Sequence, residues 1–584
     1  LRILRAAAGA LALASAGCGS CGTPSAGPPE AAVAEAVEPP VPAPAGLLAE
    51  VRVREPDAAW GRIQRGVSGA VALLPPTVGE LACGFAGLAP STARLLDGKG
   101  TSYVVLGQGK GAEAIAWVAA IPVLDASAAS STLLVGADGA GGGSSSARDV
   151  AGMRLLTSAA QPPSVTVALA RGPSPRGWLV LASSEEALAS LGPYAVRTLP
   201  TTPPPTEAAA IVADVPGAAL AGPVSTAIAA RWGETRAWLR ARDDEQRAKH
   251  GGRAPDFGDP RPIVEAVDGL VTRRIGLLAA ARGAHVVLEA GEDEVHVEVA
   301  LTPGTDAASA ALLAAMTTGD TAPLAAAPAE SAVVLLVRDA ATGRGEDAAS
   351  LESTVVTALG DRLNDEDRRA VHTALTDWVH ARGDWWAGGL AWGASDPSRG
   401  LWVRTAAASP DTSARAVREL VDLSHRRAFA DMLSGSLHLS PANVRGVDAP
   451  PVAKASLALF EAKASGGGPH RPDAGPSPGI AWGVQGDDLF VAAGTSAAQL
   501  LSAEAAPHRR VGDDPRTARS LAALGPSASF AVLAEPLRFD PTRSEPDSAA
   551  AAAFAWGRKG EGAWARLELA DLLLRELLRL KAGL

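Results

Sequence analysis

Cysteine is nearly absent. Three stand in 584 residues, Cys18, Cys21 and Cys83, too few for the disulfide framework of a small secreted fold. Cys18-Gly19-Ser20-Cys21 spells C-x-x-C. A redox pair of that spelling opens a helix after a strand, where the helix dipole lowers the thiol pKa. This one lies between an apolar leader and a proline-rich tail, which argues against redox chemistry. An excess of positive charge is also missing. The net charge is −10, and nucleic-acid affinity rests on clustered Lys and Arg, so no nucleic-acid partner is expected. Tyr and Phe are few, 2 and 8 against 13 Trp, which makes tryptophan the aromatic to follow. No His-Glu-x-x-His and no Ser-x-x-Lys occurs, so two large classes of exported enzyme lose their usual signature. Alanine and arginine are what the chain has in abundance, a mark of GC-rich coding rather than of function. The length exceeds one typical core, so two or more domains are expected.

The first residues have the grammar of an export signal. Arg2 and Arg5 form a short positive region, and residues 6–16 are apolar and uncharged. That run matches a signal-peptide core and is too short to span a bilayer. Leu13-Ala14-Ser15-Ala16-Gly17-Cys18 resembles the lipobox of bacterial lipoproteins, with Ser15 where that motif usually has Leu. The resemblance implies that residues 1–17 are removed and that Cys18 is the lipid attachment. Ala14-Ser15-Ala16 also fits an ordinary A-x-A cleavage site, which would release a soluble secreted protein. With Cys18 acylated, Cys21 and Cys83 either pair in an oxidising compartment or leave Cys83 a plain buried thiol. The second is favoured because Cys21 lies in a tail. Residues 18–46 carry Pro24, Pro28, Pro29, Pro39, Pro40, Pro42 and Pro44 with no basic residue. They are expected to form an extended tether, with a reach of roughly 70 Å at about 3.1 Å per residue.

Residues 47–304 read as a first folded unit. Residues 48–54 alternate like a strand, and 103–106, 116–123 and 178–182 read as buried strands. Residues 138–146, DGAGGGSSS, are a loop. A helical pair is expected over 221–249 and 262–282, the second opening on a proline suited to a first helical turn. A hairpin follows, 284–289 and 295–301, with Val295, Val297, Val299 and Leu301 on one face. Residues 305–584 read as a second unit. Its helices open at Asp306, at Asn364 and at Ser409-Pro410-Asp411. Residues 466–479 form a loop, and 570–581 a closing amphipathic helix of mixed charge that docks on a sheet.

Internal repetition is visible. Ala-Trp-Gly occurs at Ala59, Ala391, Ala481 and Ala555. The last three each lead through a turn into a second apolar run, which spells strand, turn, strand. The fourth lies in a helical setting. Residues 178–188 match 489–499 in pattern, a strand followed by small residues and a helix. A proline, small residues and a strand recur at 205–214, 328–339 and 526–534. These echoes predict an α+β fold of two related units, each an antiparallel sheet with helices packed on one face. The repeated modules, with "LVLA" at 179–182, and the leader together resemble uncharacterised exported bacterial lipoproteins of the domain-of-unknown-function type. That resemblance covers most of the folded chain. It implies export and repetition, and brings no activity, cofactor or catalytic residue.

Few residues point to chemistry. Gly475-Pro476-Ser477-Pro478-Gly479 spells G-x-S-x-G, yet a nucleophile elbow needs a strand before it and a helix after it, which the prolines forbid. Residues 107–112 follow a strand but lack the helix and the acidic residue of a dinucleotide fingerprint; a glycine-rich hairpin or loop is the better reading. His372 and His380 near Asp377, or His285, His296 and Glu298 across the hairpin, are metal candidates; wet-face polar residues account for both sets, so no metal or cofactor is expected. Trp378, Trp385 and Trp386 are candidates for an aromatic binding surface for glycan, with core packing as the default. The expected function is that of a non-enzymatic, membrane-tethered binding module of the cell envelope. Its partner would be an envelope protein, a glycan or a lipid. A carrier of an apolar ligand and a metal-assisted hydrolase are the alternatives.

Overall fold

Short alternating apolar runs separated by turns give twenty strands among the described residues of the computed structural model. These residues are 38–67, 74–109, 115–138, 148–156, 165–172, 176–202, 210–249, 261–291, 294–338, 344–392, 400–436, 438–461, 477–505, 509–539, 551–574 and 576. The chain divides into two units. Unit 1 is Leu1–Pro223, Ala281–Thr302 and Leu574–Leu584, and unit 2 is Val224–Ala280 and Pro303–Leu573. The division differs from a single cut near residue 304. The helical pair read as part of the first unit belongs to the second, where its second helix packs Leu277 against Leu313, Met316 and Ala563.

Unit 1 holds β1 (Leu47–Val53), β2 (Ser102–Gln108), β3 (Ile115–Val123), β4 (Arg148–Val150), β5 (Met153–Leu156), β6 (Thr166–Arg171), β7 (Gly177–Ala182), β8 (Ile211–Pro216), β9 (Gly283–Ala290) and β10 (Glu294–Thr302). They pair in the order β4-β5-β6-β7-β3-β2-β1-β8-β9-β10, every neighbour antiparallel. Its helices are α1 (Pro56–Val67), α2 (Val78–Ala86), α3 (Ala126–Asp138) and α4 (Glu185–Pro193). Ser184 caps α4 by accepting from Ala187 N, with Glu185 and Glu186 in the positive first turn.

Unit 2 holds α5 (Ser225–Lys249), α6 (Arg261–Ala280), β11 (Ser331–Arg338), α7 (Arg344–Leu359), α8 (Asp365–Ala381), β12 (Arg382–Ala391), β13 (Gly400–Ala407) and α9 (Pro410–Asp422). After these come β14 (Asn443–Gly446), β15 (Ala453–Leu459), β16 (Gly479–Gln485), β17 (Asp488–Gly494), α10 (Ala497–Ala505), α11 (Pro515–Ala523), β18 (Ala528–Ala534), β19 (Ala552–Lys559) and β20 (Gly562–Ala570). The strands pair in the order β14-β15-β16-β17-β13-β12-β11-β18-β19-β20, again antiparallel throughout. Adding ten to each strand number of unit 1 reproduces this order, so the two units share one topology. Asn364 and Ser409 cap α8 and α9, and Asp306 caps a short helix at Ala307–Ala314.

The α+β class is as expected, but the helices cover both faces of each sheet rather than one. In unit 1, α4 lies over Val118, Val180 and Ala182, while α2 and α3 lie over Ile121, Leu179 and Leu181. In unit 2, α10 and α11 lie over Trp402, Phe490 and Ala492, while α9 lies over Trp482, Val484 and Leu489. The cause is legible in β7, GWLVLA, which is buried along its whole length. A strand apolar at every position needs cover on both sides.

The repeated tripeptide has a packing explanation. Ala391, Ala481 and Ala555 all lie under the α10 side with no exposed surface, and strand alternation sends the following tryptophan to the opposite face. A Cβ on Gly483 would meet Val452 Cγ1 at 2.3 Å, and one on Gly557 would meet Ser527 O at 2.0 Å. The close neighbour at each position therefore excludes any side chain. Ala59-Trp60-Gly61 lies on α1, as its setting suggested. The 178–188 and 489–499 echo does mark equivalent segments, β7–α4 and β17–α10, but its alignment is out of register. Trp178 faces α4 and Leu489 faces α9, whereas Phe490 faces α10. A one-residue slip exchanges the faces of a strand.

Candidate functional site

The sequence candidates disperse. Cys18 and Cys21 lie outside the described residues, as do residues 139–147 and most of 466–479. Cys83 is a free, buried thiol on α2; burial, and after it the Glu80 carboxylate, pushes its pKa up to about 12, which removes its nucleophilic form. Trp378 packs on the α9 side of the unit 2 sheet and Trp385 on the α10 side. Trp386 is adjacent to Trp385 on β12 and so takes the opposite face. The three rings are divided between faces and make no common platform. Ser477 leads directly into β16 rather than sitting between a strand and a helix. Gly107 lies in β2, which pairs antiparallel with β3, and residues 110–112 lie outside the described residues.

The histidine sets separate as well. His372 Nδ1 lies 2.7 Å from Glu352, while Asp377 stands beside Glu419 and acts on its carboxyl. Across the hairpin His285 stands opposite Ala300 and His296 opposite Glu289. His296 comes within 3.9 Å of Glu298, and His285 Nδ1 lies 2.7 Å from Asp214 on the neighbouring strand. Among the described residues no group of three His, Cys, Asp or Glu is placed to hold a metal.

What the fold does assemble is two kinds of sheet face. In unit 1 one lateral row runs Val118, Val105, Glu50, Asp214, His285 over five strands, with Tyr103, Arg52 and Val212 in the next row. The row changes from apolar to charged at β1. Arg52 Nη1 donates to Asp214 Oδ2 at 3.0 Å, and Arg52 Nη2 lies 3.7 Å from Glu50 Oε2. Tyr194, just past α4, donates to Glu50. Burial first, and then the bond to Glu50, raises the Tyr194 pKa and keeps the phenol protonated as donor. The result is a linked network, Tyr194–Glu50–Arg52–Asp214–His285, at the edge of the α4 core. No signal in the sequence spacing brings these residues together; only the strand order does.

The opposite face of β1, β8 and β9, continued onto β10, is aliphatic. Val51, Ala213, Val286 and Val299 form one row and Val53, Ile211, Leu288 and Val297 the next. All eight are only partly buried. Unit 2 has the matching face. Leu335, Val532, Phe554 and Leu567 share one row and Val337, Phe530, Trp556 and Ala565 another. These too are partly buried, while their strand neighbours Val334, Leu336, Ala531, Leu533, Ala553 and Ala555 are closed under α10 and α11. Phe530 meets Phe554 and Trp556 edge-on, at 6.4 and 6.0 Å between ring centres. A contiguous apolar face that its own unit leaves partly open is suited to hydrocarbon.

No family model and no curated protein matches the chain. Two solved structures, crystal forms IV and III of TP0453, align at 10% identity over 44% of this chain. The alignments cover 96% and 97% of those chains, with TM-scores of 0.20 and 0.21. Likeness at that level carries no argument about fold or function. No helix among the described residues is long and apolar enough to cross a membrane.

Proposed function

We propose that this chain is an exported, lipid-anchored protein of the cell envelope that binds rather than catalyses, and that it carries an apolar ligand on the partly buried faces of its two sheets. The observation that supports the reading is the aliphatic and aromatic lining of equivalent strands in both units. Burying such surface on a hydrocarbon chain yields about 25 cal/mol per Å² of apolar area. The leader and the tether supply the anchor, with Cys18 as the acylated residue. The test is native mass spectrometry of the full chain carrying Cys18→Ala, which has no acylation site at that residue, purified without detergent, with an organic extract of the same sample. A discrete extra mass that extracts as lipid is expected. A clean protein mass, and no lipid uptake after incubation with vesicles, would overturn the carrier. The anchor is tested apart from it: Cys18→Ala should move the protein from the membrane fraction to the soluble one.

A further inference from the structure

A cation stands at the partly buried apolar face of unit 2. Arg274 on α6 stacks on Trp556, its guanidinium carbon 3.7 Å from the ring centre. Burial, and after it the charge of Arg273, pulls the Arg274 pKa down to about 10. Two donors of this stack, Arg274 Nη1 and Trp556 Nε1, are buried without an acceptor among the described residues. A buried donor with no partner is costly, more so on a charged group. The cation–π contact offsets part of that cost but supplies no acceptor. An oxygen carrying negative charge answers both donors, and the Phe530 and Phe554 rings next to the stack accept a hydrocarbon.

We propose that the ligand of the unit 2 face is an anionic amphiphile, its oxyanion head held by Arg274 and Trp556 Nε1 and its chain laid along Phe530, Val532 and Phe554. The inference rests on the carrier reading and adds the chemistry of the head. Carboxylate and phosphate heads share that chemistry. The experiment is calorimetric titration of the delipidated full chain with laurate, dodecyl phosphate and the neutral dodecanol, alongside ligand-induced shifts in melting temperature. Wild type should prefer one or both anions over dodecanol by about ten- to a hundredfold, the span expected of hydrogen bonds to a charged group. The anion with the larger preference identifies the head. Arg274→Met should abolish the preference and leave dodecanol affinity unchanged. Because it removes an unpaired buried charge, it should fold with an unchanged or higher melting temperature. Arg274→Lys should keep part of the preference, and Trp556→Phe, which keeps the ring and loses the donor, should weaken anion binding several-fold. Equal affinity for anions and dodecanol in wild type, or an anion preference that survives Arg274→Met, would overturn the head assignment and leave the carrier standing. Failure of all three probes to bind would overturn the carrier itself.

Discussion

The two units share one strand order and differ in what lies on the α4 side of corresponding strands. In unit 1, β1, β8 and β9 present Glu50, Arg52, Asp214 and His285 there. In unit 2, β11, β18 and β19 present Val334, Leu336, Ala531, Leu533, Ala553 and Ala555, each at most 1% exposed. The difference lies in the cover. Between α10 and β18, unit 2 inserts α11, which brings Leu521 and Leu524 down on those strands together with Val511 and Leu324. Between α4 and β8, the described part of unit 1 has only the turns Tyr194–Thr198 and Leu199–Thr201. Strand order fixes which backbone pairs with which; the covering segment decides whether a strand face is grease or charge. One fold template thus yields a closed core in one copy and a polar network in the other.

The comparison can be broken at graded points. The largest effect is expected at Glu504, which α10 buries to 2% exposure between Arg404, at 3.2 Å, and Arg510, at 3.0 Å. Glu504→Ala leaves the two guanidinium groups without it and should cost about 3–5 kcal/mol in denaturant unfolding, as expected when one partner of a buried ion pair is removed. Leu336→Ala, in the closed apolar row, should cost about 2–5 kcal/mol by lost transfer and cavity formation. Arg52→Met in unit 1 should cost less, about 1–3 kcal/mol, because it removes hydrogen-bonded charge from a partly open network. If Arg52→Met costs more than Leu336→Ala, the contrast between the closed and the open row is wrong. The smallest effect belongs to Glu419, whose pKa is raised by burial and then by the neighbouring Asp377. A carboxyl raised on folding binds its proton more tightly in the native state, so its contribution is present below the unfolded pKa and is lost as pH rises through the folded one. Glu419→Gln should therefore raise the melting temperature slightly at pH 7 and leave it unchanged at pH 3. A gain that persists at low pH would mean that the carboxyl is not the cause.

Much of the scaffold was legible in the sequence. The strands at 48–54 and 295–301, the caps at Asn364 and Ser409, and the hairpins marked by Ala391, Ala481 and Ala555 all rest on local rules, and the structure has each of them; the buried and wet faces expected of 295–301 do not separate, since every residue from Val295 to Leu301 is partly buried. Local rules do not reach across strands. Glu50, Asp214 and His285 lie far apart along the chain and meet only because β8 crosses back to lie beside β1. The unbroken apolar run of β7 signalled a strand buried on both faces, but not which helices cover each of them. Trp385 and Trp386, adjacent in sequence, looked like a cluster because the pleat that parts them is a property of the strand rather than of composition. Trp556 stood out as part of the repeated tripeptide, but nothing in the sequence paired it with Arg274, since one is on a helix before β9 and the other on β19.

Cys83 has a further consequence. It is the only thiol inside the described body, it belongs to unit 1, and unit 2 contains no cysteine. A buried thiol reacts only when the structure around it opens. The rate at which a thiol reagent reaches Cys83, read by peptide mapping apart from Cys18 and Cys21, is then a clock for the local opening of α2 and the sheet beneath it. The chain carries a kinetic reporter for one of its two copies and none for the other, so ligand protection of one copy can be separated from protection of the whole without adding any label.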